Sequence, residues 1–229
     1  MHGLIPPALH HLDLVIFDLV GTTIWFGNYV MEAFRQAFNE SGIRLKDKEI
    51  KAIRGRSKRD AIAGILQVHS GSKAPGMIET VYGTFQKLLI DSVSEQGVEP
   101  VPGTDDVFGW LRDRKVKIAL NTGFDRHIVS MLLDRMDWSG IVDAVVCGND
   151  VDRGRPAPDL ILKAMEQTGC TNPSRVLAVG DTRFDLLAAK NAGVPAVGVL
   201  SGAGNEEKLK ACPHYAIIPS VEDLHKVLS

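Results

Sequence analysis

Asp18 stands near the end of an apolar run, residues 12–19, and is followed by Val20 and by Gly21-Thr22-Thr23. An apolar run of this length predicts a buried strand. A carboxylate at the carboxyl end of such a strand lies where open α/β sheets bind their ligands. There it could attack a substrate as a nucleophile or bind a hard cation such as Mg²⁺. Asp18 is therefore the first candidate catalytic residue.

Polar residues also follow two later apolar runs. Asn121-Thr122-Gly123 comes after residues 116–120, and Gly180-Asp181-Thr182-Arg183-Phe184-Asp185 comes after residues 176–179. Between them, Arg155 lies in the sequence Gly-Arg-Pro-Ala-Pro-Asp. Each feature alone is also typical of a helix cap or a surface residue. Like Asp18, the Asn121 and Asp181 motifs each follow a predicted strand, and this common position predicts one site at one edge of a sheet.

In this order the motifs resemble those of the haloacid dehalogenase superfamily, and the resemblance covers nearly the whole chain. In that superfamily a nucleophilic aspartate opens a DxDGT-like motif, and the acidic motif reads GDxxxD. The resemblance implies that Asp18 accepts a phosphoryl group as an aspartyl-phosphate. It also implies that Thr122, beside Gly123, and Arg155 hold the phosphoryl oxygens; an arginine at this position is also seen in phosphonatases.

The resemblance implies a Mg²⁺ cofactor as well. A hard cation with oxygen ligands suits Asp18, Asp181 and the backbone carbonyl of Val20. Asp185 completes the candidate metal-binding set, where we expect it to orient waters or the basic residue. The metal would neutralise repulsion between the nucleophile and the phosphoryl group.

Val20 stands where the motif usually has a second aspartate. Positioned acid–base catalysis is worth about 10²–10⁴-fold, and valine cannot protonate a leaving alkoxide. Two branches of the superfamily work without that acid: the 2-haloacid dehalogenases and phosphonoacetaldehyde hydrolase, or phosphonatase. Dehalogenases need no metal, and Asp181 without Mg²⁺ would crowd like charges around Asp18. Phosphoryl chemistry is favoured, and a weak or inactive phosphatase is the plainer alternative.

Lys58 is the candidate that points to phosphonatase. Residues 54–60 read Arg-Gly-Arg-Ser-Lys-Arg-Asp, and Ser57-x-x-Asp60 is a capping-box pattern that places Lys58 in the first turn of a helix. The helix dipole and neighbouring cations both disfavour a charged ammonium there. The position resembles the lysine with which phosphonatase forms an imine. Arg56 is a second candidate for substrate binding.

Two departures leave alternatives open. Phosphonatase has a histidine three residues after its lysine and a tyrosine after the second-motif glycine, whereas this chain has Ala61 and Phe124. Lys58 could instead bind the substrate of a phosphatase that acts on small phosphate esters. A catalytically silent binding protein of the same fold is the remaining alternative.

Apolar runs and helical patterns alternate along the rest of the chain, which predicts an α/β fold with a Rossmann-like, doubly wound parallel sheet. Strands are expected at 116–120, 144–147, 176–179, 196–200 and 215–218, and helices at 125–136, 159–168, 185–192 and 221–228. Residues 28–96 show helical periodicity instead. We therefore expect a core domain of residues 1–27 and 97–229 and a small helical cap domain of residues 28–96, inserted after the first strand, with 97–103 as the return linker.

Composition limits the partners. The net charge of −2 and the 45% hydrophobic content argue against a nucleic-acid or membrane partner. Three cysteines without a CxxC pair are expected to be reduced thiols of a cytoplasmic protein. The expected partner is a small phosphorylated or phosphonate substrate, and a homodimer through the cap is left open.

Overall fold

A six-stranded parallel sheet forms the centre of the protein. The computed structural model describes residues 12–53, 57–70 and 75–228. The strand order is β5-β4-β1-β6-β7-β8. The strands are β1 (Leu14–Asp18), β4 (Lys117–Asn121), β5 (Ala144–Val146), β6 (Val176–Gly180), β7 (Ala196–Val199) and β8 (Ala216–Ile218).

Strand β1 occupies the middle of this sheet because all five of its residues are buried on both faces. It pairs with β4 on one side and β6 on the other. Asp18 lies opposite Asn121 in this register. The chain proceeds outward through β4 and β5 and then returns to β6, so the strand order reverses between β1 and β6. Such a switch point is where doubly wound sheets bind ligands, at the carboxyl ends of the strands.

Helices cover both faces of the sheet. Alternate residues of β1 contribute to different hydrophobic clusters: Val15 and Phe17 to one, Leu14 and Ile16 to the other. Because side chains of a strand alternate between faces, this division confirms the doubly wound α/β fold. The helices of this part are α5 (Thr104–Asp113), α6 (Arg126–Met136), α7 (Asp159–Thr168), α8 (Arg183–Ala192), α9 (Glu206–Lys210) and α10 (Leu224–Leu228).

Among the described residues, four helices lie in the segment predicted to be helical, between β1 and α5 in the chain. They are α1 (Tyr29–Glu40), α2 (Asp47–Ala52), α3 (Lys58–Ser70) and α4 (Pro75–Gln96). Helices α1 and α4 pack through aromatic side chains, with the rings of Phe34 and Phe85 4.4 Å apart. We call these helices the helical insert. Its status as a separate cap domain over residues 28–96 stays a prediction.

A short antiparallel pair brackets the helical insert. Strand β2 (Ile24–Trp25) pairs with β3 (Glu99–Pro100). Strand β3 lies within residues 97–103, the predicted return linker, and was not expected from the sequence. Strands of two residues are too short for the alternation that identifies a strand in a sequence.

The other predicted elements agree with the structure to within about two residues at their ends, the usual uncertainty of such boundaries. The predicted helix 125–136 begins at Arg126, with Asp125 as its N-cap residue. The predicted helix 185–192 begins two residues earlier, at Arg183. In the last predicted helix, residues 221–223 form a 3₁₀ turn before α10. Within the described residues, no helix has the length and apolar character needed to cross a bilayer.

Candidate active site

The predicted site residues meet at the carboxyl ends of neighbouring strands. Asp18 ends β1, Thr122 follows β4, and Asp181 follows β6. All three are buried, with exposed fractions of 7%, 3% and 1%. Burying polar groups costs free energy unless they are hydrogen-bonded or paired, so the convergence of these three residues indicates a functional site.

Arg155 reaches this cluster from the loop before α7. Its Nη2 atom lies 2.6 Å from Asp18 Oδ1, and its Nη1 atom forms a short hydrogen bond with Asp185. The other oxygen of Asp185 accepts hydrogen bonds from Thr182 N at 2.9 Å and Thr182 Oγ1 at 2.5 Å, as part of the capping box of α8. Because both Asp185 oxygens contact protein groups, this carboxylate positions Arg155 against the nucleophile candidate.

Three carboxylates gather around this arginine. Oxygen atoms of Asp18, Asp181 and Asp185 all lie within 4.8 Å of one another. Burial raises the pKa of Asp18 to about 6, although the Arg155 charge opposes the shift. Burial, followed by the charges of Asp18 and Asp185, raises the pKa of Asp181 well above its usual range. The cluster therefore needs more positive charge than Arg155 supplies if all three acids are to ionise, and a hard cation with oxygen ligands fits that need.

Glycines allow backbone to approach Asp181 closely, and sequence reasoning missed them. A Cβ atom on Gly21, which has a φ of +93°, would lie 2.7 Å from Asp181 Oδ2. A Cβ atom on Gly202 would also overlap that oxygen. Ala203 N donates a hydrogen bond to Asp181 Oδ2 at 2.6 Å, and Ser201 Oγ donates one to Gly21 O at 2.8 Å. The signal in the sequence is the Ser-Gly-Ala-Gly run directly after β7.

Lys58 is brought to the site by the helical insert. It is the first residue of α3, as the capping-box pattern predicted, and it is only 9% exposed. Its Nζ atom lies 4.6 Å from the centre of the Phe124 ring. Burial and then the Arg155 charge lower the pKa of Lys58 to about 8, against the opposing effect of the carboxylates. Arg56, the second predicted binding residue, lies outside the described residues.

One cavity of about 290 Å³ joins these groups. Its polar lining includes Asp18, Lys58, Thr122, Arg155 and Asp181, and Gly123 and Val20 also line it. Val20 thus contributes an apolar residue to the cavity lining, at the position where the motif usually has a proton-donating aspartate. Thr122 Oγ1 accepts a hydrogen bond from Phe124 N at 3.3 Å, so the hydroxyl proton remains able to donate.

The helical insert also contacts the loop after β4, a connection that the sequence did not reveal. Gln86 Nε2 on α4 donates a hydrogen bond to Asp125 Oδ2 at 3.1 Å. Tyr82, on the same helix, has a raised pKa because of burial and a hydrogen bond with Asp125. The ring of Phe124 lies 5.9 Å from Phe26 and 6.5 Å from Phe85. These contacts hold Phe124 against Lys58.

Comparison with known proteins agrees with the geometry. The sequence profile of the haloacid dehalogenase-like hydrolases matches residues 15–199, which carry Asp18, Lys58, Thr122, Arg155 and Asp181. The chain belongs to the haloacid dehalogenase-like hydrolase family. This assignment confirms the resemblance found in the sequence and makes the protein a hydrolase.

Curated members of this family include proteins similar to this chain. The phosphonoacetaldehyde hydrolase of Hahella chejuensis is 32% identical, over 85% of this chain and 70% of that protein. The phosphonoacetaldehyde hydrolase of Paraburkholderia phytofirmans is 29% identical, over 96% of this chain and 95% of that protein.

Among solved structures, a phosphonoacetaldehyde hydrolase-like protein from Oleispira antarctica superposes with a TM-score of 0.82. That alignment covers all of this chain and 93% of the other, at 23% identity. At that identity the likeness supports the fold alone.

Proposed function

We propose that this hydrolase cleaves the carbon–phosphorus bond of a small phosphonoaldehyde through an imine on Lys58 and an aspartyl-phosphate on Asp18. The observation that carries the proposal is the burial of Lys58 in the same cavity as Asp18, with a pKa lowered to about 8. A lysine with a lowered pKa exists partly as the neutral amine near neutral pH, and the neutral amine can attack a carbonyl group. The similar relatives are phosphonoacetaldehyde hydrolases, which supports the same substrate class.

The reaction begins when the neutral Lys58 amine adds to the aldehyde carbon. The adduct takes up a proton from solvent and loses water, which gives a protonated imine. The carbon–phosphorus bond then breaks: its electron pair moves toward the imine nitrogen as an enamine, and the phosphoryl group passes to an Asp18 oxygen. Protonation of the enamine carbon and addition of water release the dephosphorylated aldehyde and restore Lys58. A second water hydrolyses the acyl phosphate to inorganic phosphate and restores Asp18.

When the leaving atom is the carbon of a protonated imine substrate, the reaction needs no proton-donating side chain at position 20. An alkoxide leaving group must be protonated, whereas the imine nitrogen accepts the electrons of the carbon–phosphorus bond. The apolar side chain of Val20 in the cavity wall is compatible with that chemistry. Val20 therefore favours phosphonate cleavage over ester hydrolysis.

The remaining polar groups stabilise the transferred phosphoryl group. We assign the binding of its oxygens to the Thr122 hydroxyl and the Arg155 guanidinium, beside Gly123. Asp185 keeps Arg155 directed at Asp18. Arg56 stays a candidate for the same anionic group.

Asp18, Asp181 and the Val20 carbonyl would hold Mg²⁺, which when bound offsets the repulsion between the Asp18 carboxylate and the anionic phosphoryl group. We further propose that residues 28–96 act as the cap domain. By this assignment the insert delivers Lys58 to a core of residues 1–27 and 97–229 and excludes water from the cavity.

A phosphate-ester phosphatase remains the second candidate, because Phe124 and Ala61 replace two residues that phosphonatases carry. In that enzyme Lys58 would only bind the anionic substrate. The two candidates differ in what they require at position 58. An imine needs a primary amine, whereas a binding site needs a cation.

The test compares phosphate release from phosphonoacetaldehyde with Mg²⁺ in the wild type and in Lys58→Arg. Arginine keeps the charge but does not form the imine, so we expect a loss of at least about 10³-fold. Lys163→Arg, on the exposed side of α7 in a surface ion pair with Glu166, is the matched control and should retain full activity. Substantial turnover of phosphonoacetaldehyde by Lys58→Arg would contradict the proposal. So would a wild type that does not cleave phosphonoacetaldehyde but hydrolyses phosphate esters.

A further inference from the structure

The cavity that Asp18 and Lys58 line also has a group of apolar lining residues, all from the helical insert. They are Val30, Met31 and Phe34 of α1 and Ile50 and Ile53 at α2, and we call these five residues the apolar wall. Phe34, Ile50 and Ile53 are at most 8% exposed. None of the five side chains can form a strong hydrogen bond, so this part of the lining suits hydrocarbon.

The apolar wall is an inner surface of the cavity. Trp25, Gly27 and Asn28 also line the cavity, and all three are exposed, which places them at its mouth. The cavity volume is about 290 Å³. Phosphonoacetaldehyde carries a single methylene group between its two polar ends, so it would offer the apolar wall almost no hydrocarbon to contact.

From this contrast we infer that the preferred substrate is a phosphonoaldehyde with a short alkyl branch on the carbon between phosphorus and the carbonyl group. The apolar wall would bind that branch. The inference rests on the function proposed above. A branch on that carbon leaves an aldehyde for Lys58, whereas a branch on the carbonyl carbon would give a ketone, which forms an imine less readily.

The branched substrate reacts with the same balance of atoms. The carbon–phosphorus bond breaks, its electrons form the enamine, and a proton replaces phosphorus on the branched carbon. Overall, one water is consumed, and the products are inorganic phosphate and the alkyl-bearing aldehyde. The branch does not take part in bond breaking, so it contributes only binding energy.

The experiment measures kcat/KM for phosphonoacetaldehyde and for its 2-ethyl derivative. In the wild type we expect the ethyl compound to be better by about 10-fold or more, since each methylene in an apolar pocket is worth about 10–200-fold. Met31→Gln keeps the length of the side chain and its helix preference but adds a polar amide. This variant should lower the ratio of the two kcat/KM values by about 10-fold.

Met131→Gln is the matched control, because Met131 is a half-buried methionine of α6 that does not line the cavity. It should leave the ratio unchanged. If Met31→Gln does not fold, Val30→Thr makes a shape-conserving polar change in the same wall. The ratio should fall in that variant too.

The outcomes separate the two proposals. Turnover of phosphonoacetaldehyde without any preference for the ethyl compound overturns the inference and leaves the proposed function intact. Equal changes in the ratio for Met31→Gln and Met131→Gln also overturn it. Release of phosphate from neither aldehyde overturns the proposed function, and the inference with it.

Discussion

The two sides of the active-site cavity are built differently. On the sheet side, Asp18, Asp181, Asp185 and Arg155 are buried ionisable residues, and each carboxyl group accepts hydrogen bonds from protein groups. On the side of the helical insert, Lys58 is the charged residue among the described ones, and the other side chains of that lining are chiefly apolar. Removing one partner of a buried ion pair leaves an unpaired charge and is strongly destabilising, so substitutions on the sheet side should be poorly tolerated.

Under the proposed function, this difference assigns separate tasks to the two sides. The sheet side would transfer the phosphoryl group, whichever carbon skeleton is attached. The insert side, with Lys58 and the apolar wall, would determine the kind of substrate that can react. Changes on the sheet side should therefore reduce turnover of every substrate, and changes on the insert side should alter the choice among substrates.

The largest effect is expected on the sheet side, from Asp18→Asn. Under the proposed mechanism this change removes the nucleophile that forms the acyl phosphate, so kcat should fall by about 10⁴-fold or more for every substrate. Phosphate release under single-turnover conditions measures the loss, and circular dichroism confirms the fold.

Asp13→Asn is the matched control for Asp18→Asn. Asp13 immediately precedes β1 at its other end and forms a surface ion pair with Arg175 at 2.6 Å. Exposed ion pairs contribute little, about 0–1 kcal/mol, so this variant should keep its activity. Equal activity of Asp18→Asn and the wild type would show that the division between the two sides is wrong.

A smaller effect on the same side is expected from Gly202→Ala. The added methyl group overlaps Asp181 Oδ2 and must displace the carboxylate or the loop. Because outer contacts that orient a ligand are worth about 10–100-fold, the Mg²⁺ concentration for half-maximal activity should rise about 10-fold. Gly83→Ala serves as the control, since no atom lies within 4 Å of its added Cβ. If the Mg²⁺ concentration for half-maximal activity does not change, Asp181 does not bind the metal.

The smallest expected effect is a pH dependence of kcat/KM, which tests the role of Lys58 on the insert side. Lys58, with a pKa lowered to about 8 by burial and the Arg155 charge, becomes a neutral nucleophile as pH rises through that value. The imine mechanism predicts that kcat/KM increases about five-fold from about pH 7 to about pH 8. A lysine that only binds an anion would lose its charge over this range, so activity would fall instead. The pH profile of kcat/KM decides between the two directions.

The sequence predicted the sheet side well for a physical reason. Apolar runs identify buried strands, and a polar residue directly after such a run must lie at the carboxyl edge of the sheet. Asp18, Thr122 and Asp181 were found in this way. The position of Arg155 followed from the family resemblance, and its contacts with Asp18 and Asp185 needed the structure.

Other parts of the site depend on contacts between distant segments. The approach of Gly202 and Ala203 to Asp181 requires β7 to lie beside β6, and no local pattern encodes it. The sequence attributed the lowered pKa of Lys58 to nearby arginines and the helix dipole, whereas burial and Arg155 are the larger causes. The contact of Gln86 with Asp125 joins residues 39 positions apart.

The most direct test of the central claim is reductive trapping. Borohydride added during turnover of phosphonoacetaldehyde should reduce the imine and leave the two-carbon group of the substrate covalently attached to Lys58, which peptide mass spectrometry would locate. The imine mechanism predicts a modification at Lys58 and loss of activity in proportion to it. Continued phosphate release with Lys58 unmodified would contradict the imine mechanism.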